Sequence, residues 1–126
     1  MSGHVISSIE DPRFAALAAL EGSDIVVQMT GSADMNVKSK LGPFLGSVHN
    51  EALQREVKAV RVDFHELAFI NSSCLKDFFN WVLKLQDTAP DLQYRIHIRS
   101  NENRAWQHRS LHTLASFAQD LVIVDV

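Results

Sequence analysis

Four short runs rich in β-branched and aliphatic residues, separated by segments whose apolar positions recur every three or four residues, restrict this chain to alternating α/β architectures. The runs are Asp24–Thr30 (DIVVQMT), Val57–Phe64 (VKAVRVDF), Leu92–Ile98 (LQYRIHI) and Leu121–Val124 (LVIV), and their length and composition suit strands. After Gly31, either Ser32 or Asp34 offers a helix cap. Val37, Leu41, Phe44, Leu45 and Val48 then fall on one helical face. Gly42-Pro43 interrupts that face, and because proline lacks a donor and crowds the preceding turn, a kink or a restart is expected there. The second helical segment runs from Ser72 to about Gln86, with Leu75, Phe78, Phe79, Val82 and Leu83 as its expected apolar stripe, and Asp87 to Asp91, with Pro90, ends it. A third spans roughly Asn103 to Ala118. Strand, helix, strand, helix, strand, helix, strand is the pattern of a sheet with crossover helices. Such sheets carry functional residues on loops at the carboxyl ends of strands, which directs attention to Glu66–Ser73.

The amino-terminal quarter is less decided. Residues 1–12 are small and polar, ending in Glu10-Asp11-Pro12, and are expected to be an irregular lead-in. In Phe14–Leu20 (FAALAAL), alanine and leucine favour helix. The short turn Glu21-Gly22-Ser23 before a strand favours a hairpin instead.

The chain of 126 residues is long enough for one domain, 1–126, with its own core. A hydrophobic content of 46% and a charged content of 21% exclude an intrinsically disordered chain. Twelve Lys and Arg against fifteen Asp and Glu leave a net charge of −3, which gives no reason to expect nucleic acid or a membrane surface as partner. The single cysteine, Cys74, forms no internal disulfide and fits a reducing compartment. The first residues show no apolar run after a basic start, so no secretory signal is expected, and no apolar run approaches the ~20 residues of a membrane helix. A cytoplasmic location is the expectation.

The segment VRVDFHELAFINSSCLKDFF (residues 60–79) runs from a strand through Asp63 and the apolar connection Leu67-Ala68-Phe69-Ile70 into Asn71-Ser72-Ser73 and an amphipathic helix. It resembles the central motif of STAS domains, the family of anti-sigma-factor antagonists, where the strand leads into Asp-Ser-Ser-Gly-Leu. Gly31-Ser32-Ala33-Asp34 is similar to the family's Gly-Glu-Leu-Asp. The stretch Trp106-Gln107-His108-Arg109-Ser110-Leu111 resembles a Trp-Gln-x-x-Ser-Leu pattern of small bacterial STAS-like regulators, in which Asn commonly stands where the antagonists have Asp. The resemblance spans roughly residues 24–126. It implies a mixed β-sheet of four or five strands with helices packed mainly on one face. It also implies that Phe14–Leu20 is a strand, since STAS domains begin with a hairpin.

The resemblance further implies a non-enzymatic, protein-binding switch without a cofactor. Its partners would be a cognate serine kinase of the histidine-kinase-like ATPase fold, a serine phosphatase and an effector the sequence does not name. Ser72 matches the phosphorylated position, with Ser73 the alternative, and Asn71, Ser72, Ser73, Cys74, Asp34 and Glu66 are the expected partner-binding residues. A serine at a helix start tolerates the added negative charge of a phosphate. Two positions depart from the family pattern: Asn71 replaces an acid, and Cys74 replaces glycine. A constitutive, non-phosphorylated docking subunit of a transporter or signalling assembly is the alternative.

Other chemistry finds less support. Asn71, Ser72 and Ser73 are good helix caps in their own right. Cys74 at a helix start invites a nucleophile reading, yet no cysteine-hydrolase signature surrounds it. His108 and His112 lie four apart, a spacing that can grip a metal, but no third ligand has matching spacing and no metal site is assigned. Trp106 reads as a packing anchor, and glycine-rich phosphate loops are absent.

Overall fold

A computed structural model describes residues 4–125. Seven strands and three helices follow one another as β1 (His4–Asp11), β2 (Phe14–Glu21), β3 (Asp24–Ala33), α1 (Met35–Gln54), β4 (Ala59–Asp63), β5 (Leu67–Ile70), α2 (Ser72–Gln86), β6 (Arg95–Arg99), α3 (Ala105–Phe117) and β7 (Val122–Asp125). A single 3₁₀ turn, Pro90–Leu92, separates α2 from β6. The sheet order is β1-β2-β3-β4-β6-β7, with β5 also pairing β3. β1, β2 and β3 form an antiparallel meander. β3–β4, β3–β5, β4–β6 and β6–β7 are parallel.

Alternation along the central strands shows why all three helices serve one face. Ile25, Val27 and Met29 on β3, Val60 and Val62 on β4, and Ile96 and Ile98 on β6 are buried. The intervening Gln28, Arg61, Arg95 and Arg99 are exposed. Period-two alternation of this kind means one face packed and one face solvated. Val37, Leu41, Phe44, Leu45 and Val48 of α1, together with Phe78, Trp81, Val82 and Leu85 of α2, close over the buried side.

The expected strands are all present, and the architecture is a mixed α/β sheet as expected, but the strand count is seven rather than four or five. The difference has two sources. Residues 4–11 of the expected lead-in are strand β1, paired antiparallel to β2 along its length; residues 1–3 lie outside the described residues. The segment expected to be an apolar connection, Leu67–Ile70, is strand β5 on the end of β3. Phe14–Glu21 is a strand despite its helical composition, because pairing on both sides outweighs a propensity difference of a few tenths of a kcal/mol per residue.

Of the kink or restart expected at Gly42-Pro43, helix α1 rules out the restart: it is continuous from Met35 to Gln54 with Pro43 inside it. Pro43 is solvent-exposed, and its ring costs one backbone donor without meeting the core. Burial of Leu41, Phe44 and Leu45 on either side holds the helix together across the gap. On α2, Leu83 of the expected stripe is exposed while Cys74, Trp81 and Leu85 are buried, which turns the core-facing side by about one residue. Among the described residues, no helix is long and apolar enough to cross a membrane.

Candidate functional site

The parallel register Ala33↔Ile70 brings the ends of β3 and β5 side by side. The chain leaves both strands into helices, so α1 and α2 start next to each other at one end of the sheet. Each start is capped by its own side chain. Asp34 Oδ1 accepts from the backbone N–H of Asn36 at 3.0 Å. Asn71 Oδ1 accepts from the N–H of Cys74 at 2.8 Å. The two caps are also tied together: the N–H of Asn71 donates to the carbonyl of Ala33 at 2.9 Å, and the thiol of Cys74 donates to the carbonyl of Asp34 at 3.3 Å. A turn deeper, Lys38 Nζ of α1 bonds Asp77 Oδ1 of α2 at 2.8 Å.

Gly31 makes the approach to this end possible. Its φ of +91° suits glycine, and a Cβ there would lie 2.2 Å from the carbonyl oxygen of Arg13. The space saved lets the β1–β2 turn close in: Ser32 N–H donates to that same carbonyl at 2.7 Å, and Arg13 Nη1 stands 3.7 Å from Asp34 Oδ2. Gly31 N–H donates to the carbonyl of Glu66 at 3.2 Å. The Glu66 carboxylate turns to His65 Nδ1, 2.8 Å away.

The expected site residues therefore share one end of the sheet, in different roles. Asn71 and Asp34 are caps. Cys74 is fully buried, and burial first, then the carboxylates of Asp77 and Asp34, pushes its thiol above the ordinary range against the opposing pull of Lys38. That is the reverse of an activated nucleophile. Ser72, the first residue of α2, is exposed, and its hydroxyl has no hydrogen-bond partner among the described residues. Ser73 is half-buried. Glu66 lies on the rim, contributing its backbone to the loop and its charge to solvent.

Three residues of this end were not expected from the sequence. Met35, 64% exposed, opens α1, and Phe69, 48% exposed, sits on β5 two residues before the Asn71 cap. Arg13 comes from the β1–β2 turn. Its reach was not legible, because residues 1–12 were expected to be an irregular lead-in rather than β1 and a turn.

Trp106 and Gln107 prove to be the braces of this end. Trp106 Nε1 donates to the carbonyl of Ala68 on β5 at 2.8 Å. Gln107 is wholly buried, and its amide donates to the carbonyls of Phe64 and Leu67 at 2.7 and 3.0 Å while its oxygen accepts from the N–H of Asn101 at 2.7 Å. Every polar atom of that side chain is used, which fixes the loop between β4 and β5. Among the described residues, no group of three His, Cys, Asp or Glu side chains could hold a metal ion.

No protein-family model and no curated protein matches the sequence. The fold does have a counterpart among solved structures. It is similar to an anti-sigma factor antagonist from Mycobacterium paratuberculosis, with a TM-score of 0.64 and 16% sequence identity, over 91% of this chain and 90% of that one. The chain therefore carries a STAS-like fold, as the motif of residues 60–79 implied.

Proposed function

We propose that this chain is a non-enzymatic regulator that binds protein partners in a partner-switching system, with Ser72 as its phosphorylation site. The observation that carries the reading is the division of labour at the start of α2. Asn71 does the capping, so the hydroxyl of Ser72 is spared from structural duty and stands exposed, at the end of the sheet that also exposes Met35 and Phe69. A surface that combines an exposed polar group with exposed apolar side chains suits a protein contact. The likeness of fold to an anti-sigma factor antagonist supports the same reading.

The adjacent starts of α1 and α2 present the positive ends of two helix dipoles, so a phosphate on Ser72 leaves the domain folded. Its effect falls on the partner: added charge beside Asp34 and Glu66 makes one negative patch, and like charges facing across an interface cost several kcal/mol. The unmodified form binds the effector and the phosphorylated form releases it. A kinase of the histidine-kinase-like ATPase fold and a serine phosphatase would set the balance, in the cytoplasm.

Intact-mass measurement of protein from its native host, followed by titration calorimetry against the co-purified partner, tests this. A single phosphate lost in Ser72→Ala, with Ser72→Asp binding at least about tenfold more weakly (about 1.4 kcal/mol), is the expected result. Equal affinities of folded wild type and Ser72→Asp would refute the switch. Loss of the label in Ser73→Ala alone would move the site by one residue. The second reading, a docking subunit that is never phosphorylated, draws on Asn71, an amide where the antagonists have an acid. Persistent absence of phosphate beside a stable stoichiometric partner would favour it.

A further inference from the structure

Strand β1 is the long edge of the sheet. It pairs with β2 along one side and with no other strand among the described residues. It has eight residues, against four in β7 at the opposite edge. An edge strand exposes a row of unpaired N–H and C=O groups, and monomeric proteins blunt long ones with lysine, proline or a bulge. The sequence of β1, HVISSIED, contains neither lysine nor proline. Its register shift falls between Val5 and Ser7, so Ser7 to Asp11 remains regular and open.

Pairing with β2 fixes the direction of each side chain. Ser7, Ile9 and Asp11 stand opposite Ala18, Ala16 and Phe14, all buried, and so face the helices. Ser8 and Glu10 stand opposite the exposed Leu17 and Ala15 and face solvent. On the helix side, a groove of about 520 Å³ lies between β1 and α1. The short side chains of Ser39, Pro43 and Ser47 line it from α1, together with the buried Phe44. A strand added to the edge of β1 would lower its inward side chains into this groove.

We propose that the occupant is β1 of a second copy of this chain, paired antiparallel with Ile9 opposite Ile9. That register uses the whole regular segment and sets Ser7 opposite Asp11 and Ser8 opposite Glu10, each twice. No like charges stand directly opposite. Centring on Glu10 or Asp11 would set carboxylate against carboxylate, which destabilises a strand pair, and centring on Ser7 or Ser8 would run the ladder into the bulge. In the Ile9 register the two Glu10 side chains are diagonal neighbours roughly 7–8 Å apart, exposed and screened by salt. The two Ile9 side chains meet on the helix side and extend the core across the join. The interface is two-fold and closes on itself, with main-chain hydrogen bonds supplying affinity as in other strand additions. It goes beyond the Ser72 reading and does not depend on it.

Sedimentation equilibrium of the full chain from about 1 μM to about 1 mM, the range of weak association, tests the proposal. A monomer–dimer equilibrium is expected. Hydrogen exchange should show amides of Ser7 to Asp11 gaining protection as concentration rises, while those of β7 do not. At the exposed position 8, Ser8→Lys sets an ammonium opposite Glu10 of the second copy and Ser8→Glu sets a carboxylate there. Because each contact occurs twice, dimerisation should tighten in the first and weaken in the second by roughly 2- to 30-fold, the size of two cross-strand pairs. Adding Glu10→Lys to Ser8→Glu should restore it, with far-ultraviolet circular dichroism confirming the fold of each variant. A wild type that stays monomeric at about 1 mM overturns the proposal, even if β1 takes up an extended segment of another protein. So does a dimer that gains no protection in β1, or one whose affinity moves the same way in both Ser8 variants.

Discussion

Replacing Tyr94 by phenylalanine removes one oxygen atom that serves partners on two different helices. Tyr94 Oη accepts from Trp81 Nε1 of α2 at 2.7 Å and lies 2.7 Å from His49 Nδ1 of α1. The indole can only donate, so the hydroxyl proton is free to go to His49 Nδ1 in the tautomer that leaves this nitrogen an acceptor. Burial keeps both groups neutral: it raises the Tyr94 hydroxyl far above its ordinary value and, with the Lys84 charge adding in the same direction, lowers that of His49. All three side chains are buried. In Tyr94→Phe the indole N–H and the imidazole nitrogen both lose this partner. Each orphaned group costs about 1–3 kcal/mol, and removing the hydroxyl's own desolvation offsets part of the sum. The expected loss is about 2–4 kcal/mol, a large share of the 5–15 kcal/mol typical of a domain. Urea unfolding should show a lower midpoint with an unchanged slope. A variant within about 0.5 kcal/mol of wild type, the range of an unremarkable surface change, would refute the argument that this hydroxyl joins α1 to α2.

The same triad gives the chain a pH dependence of defined sign. Because the folded value of His49 lies below its unfolded value near 6.5, the unfolded chain takes up the proton first. Stability is therefore complete above about pH 6.5 and falls as pH drops toward the folded value; His49→Gln should flatten this part of the curve, and parallel curves would remove His49 as the cause. Pro43→Ala restores a donor inside a continuous helix at an exposed position and should raise stability by about 1–3 kcal/mol, read from the thermal midpoint; a loss would mean the proline is needed where it is. Ser72→Ala should change stability by less than about 0.5 kcal/mol, because Asn71 holds the cap; a loss near 1 kcal/mol or more, the cost of a lost cap, would give Ser72 the structural role denied it above.

The parts of the fold that were legible in the sequence are those where one physical signal stood alone. β3, β4 and β7 announced themselves through β-branched and aliphatic runs, β6 through its alternation, and α2 through its spacing; its expected span, Ser72 to Gln86, matches the helix. The misreadings fall where signals compete. β1 (HVISSIED) has too few large apolar residues to look like a strand, and its partner β2 supplies the ladder that holds it. β5 has only four residues, with its two middle side chains exposed; its pairing comes from the far end of β3, which no local pattern reveals. Leu83 looked like core by spacing, whereas the larger Trp81 turns inward because Tyr94 satisfies its N–H. At the site, capping by Asn71 and the exposure of Ser72 follow from local rules. The ties from Cys74 to Asp34 and from Trp106 to Ala68 cross 40 and 38 residues of sequence, and only the assembled sheet shows them.

The order of the strands has a consequence for synthesis. β1, β2 and β3 are contiguous in sequence and pair only with each other until β4 and β5 exist. Three antiparallel strands with one apolar face are the least that can hold together alone, so this meander can assemble while the rest is still being made. Its inner face, with Phe14, Ala16, Ala18, Ile25, Val27 and Met29, then waits for α1 to cover it. At about 5–20 residues per second, the 20 residues of α1 take about 1–4 s to translate. Once β3 has left the ribosome, an interval of this length separates it from the emergence of all of α1, and during it the meander has an uncovered apolar side and β3 as a free edge. Chaperone capture would act on this window, and β3 is the template on which both later parallel strands must register.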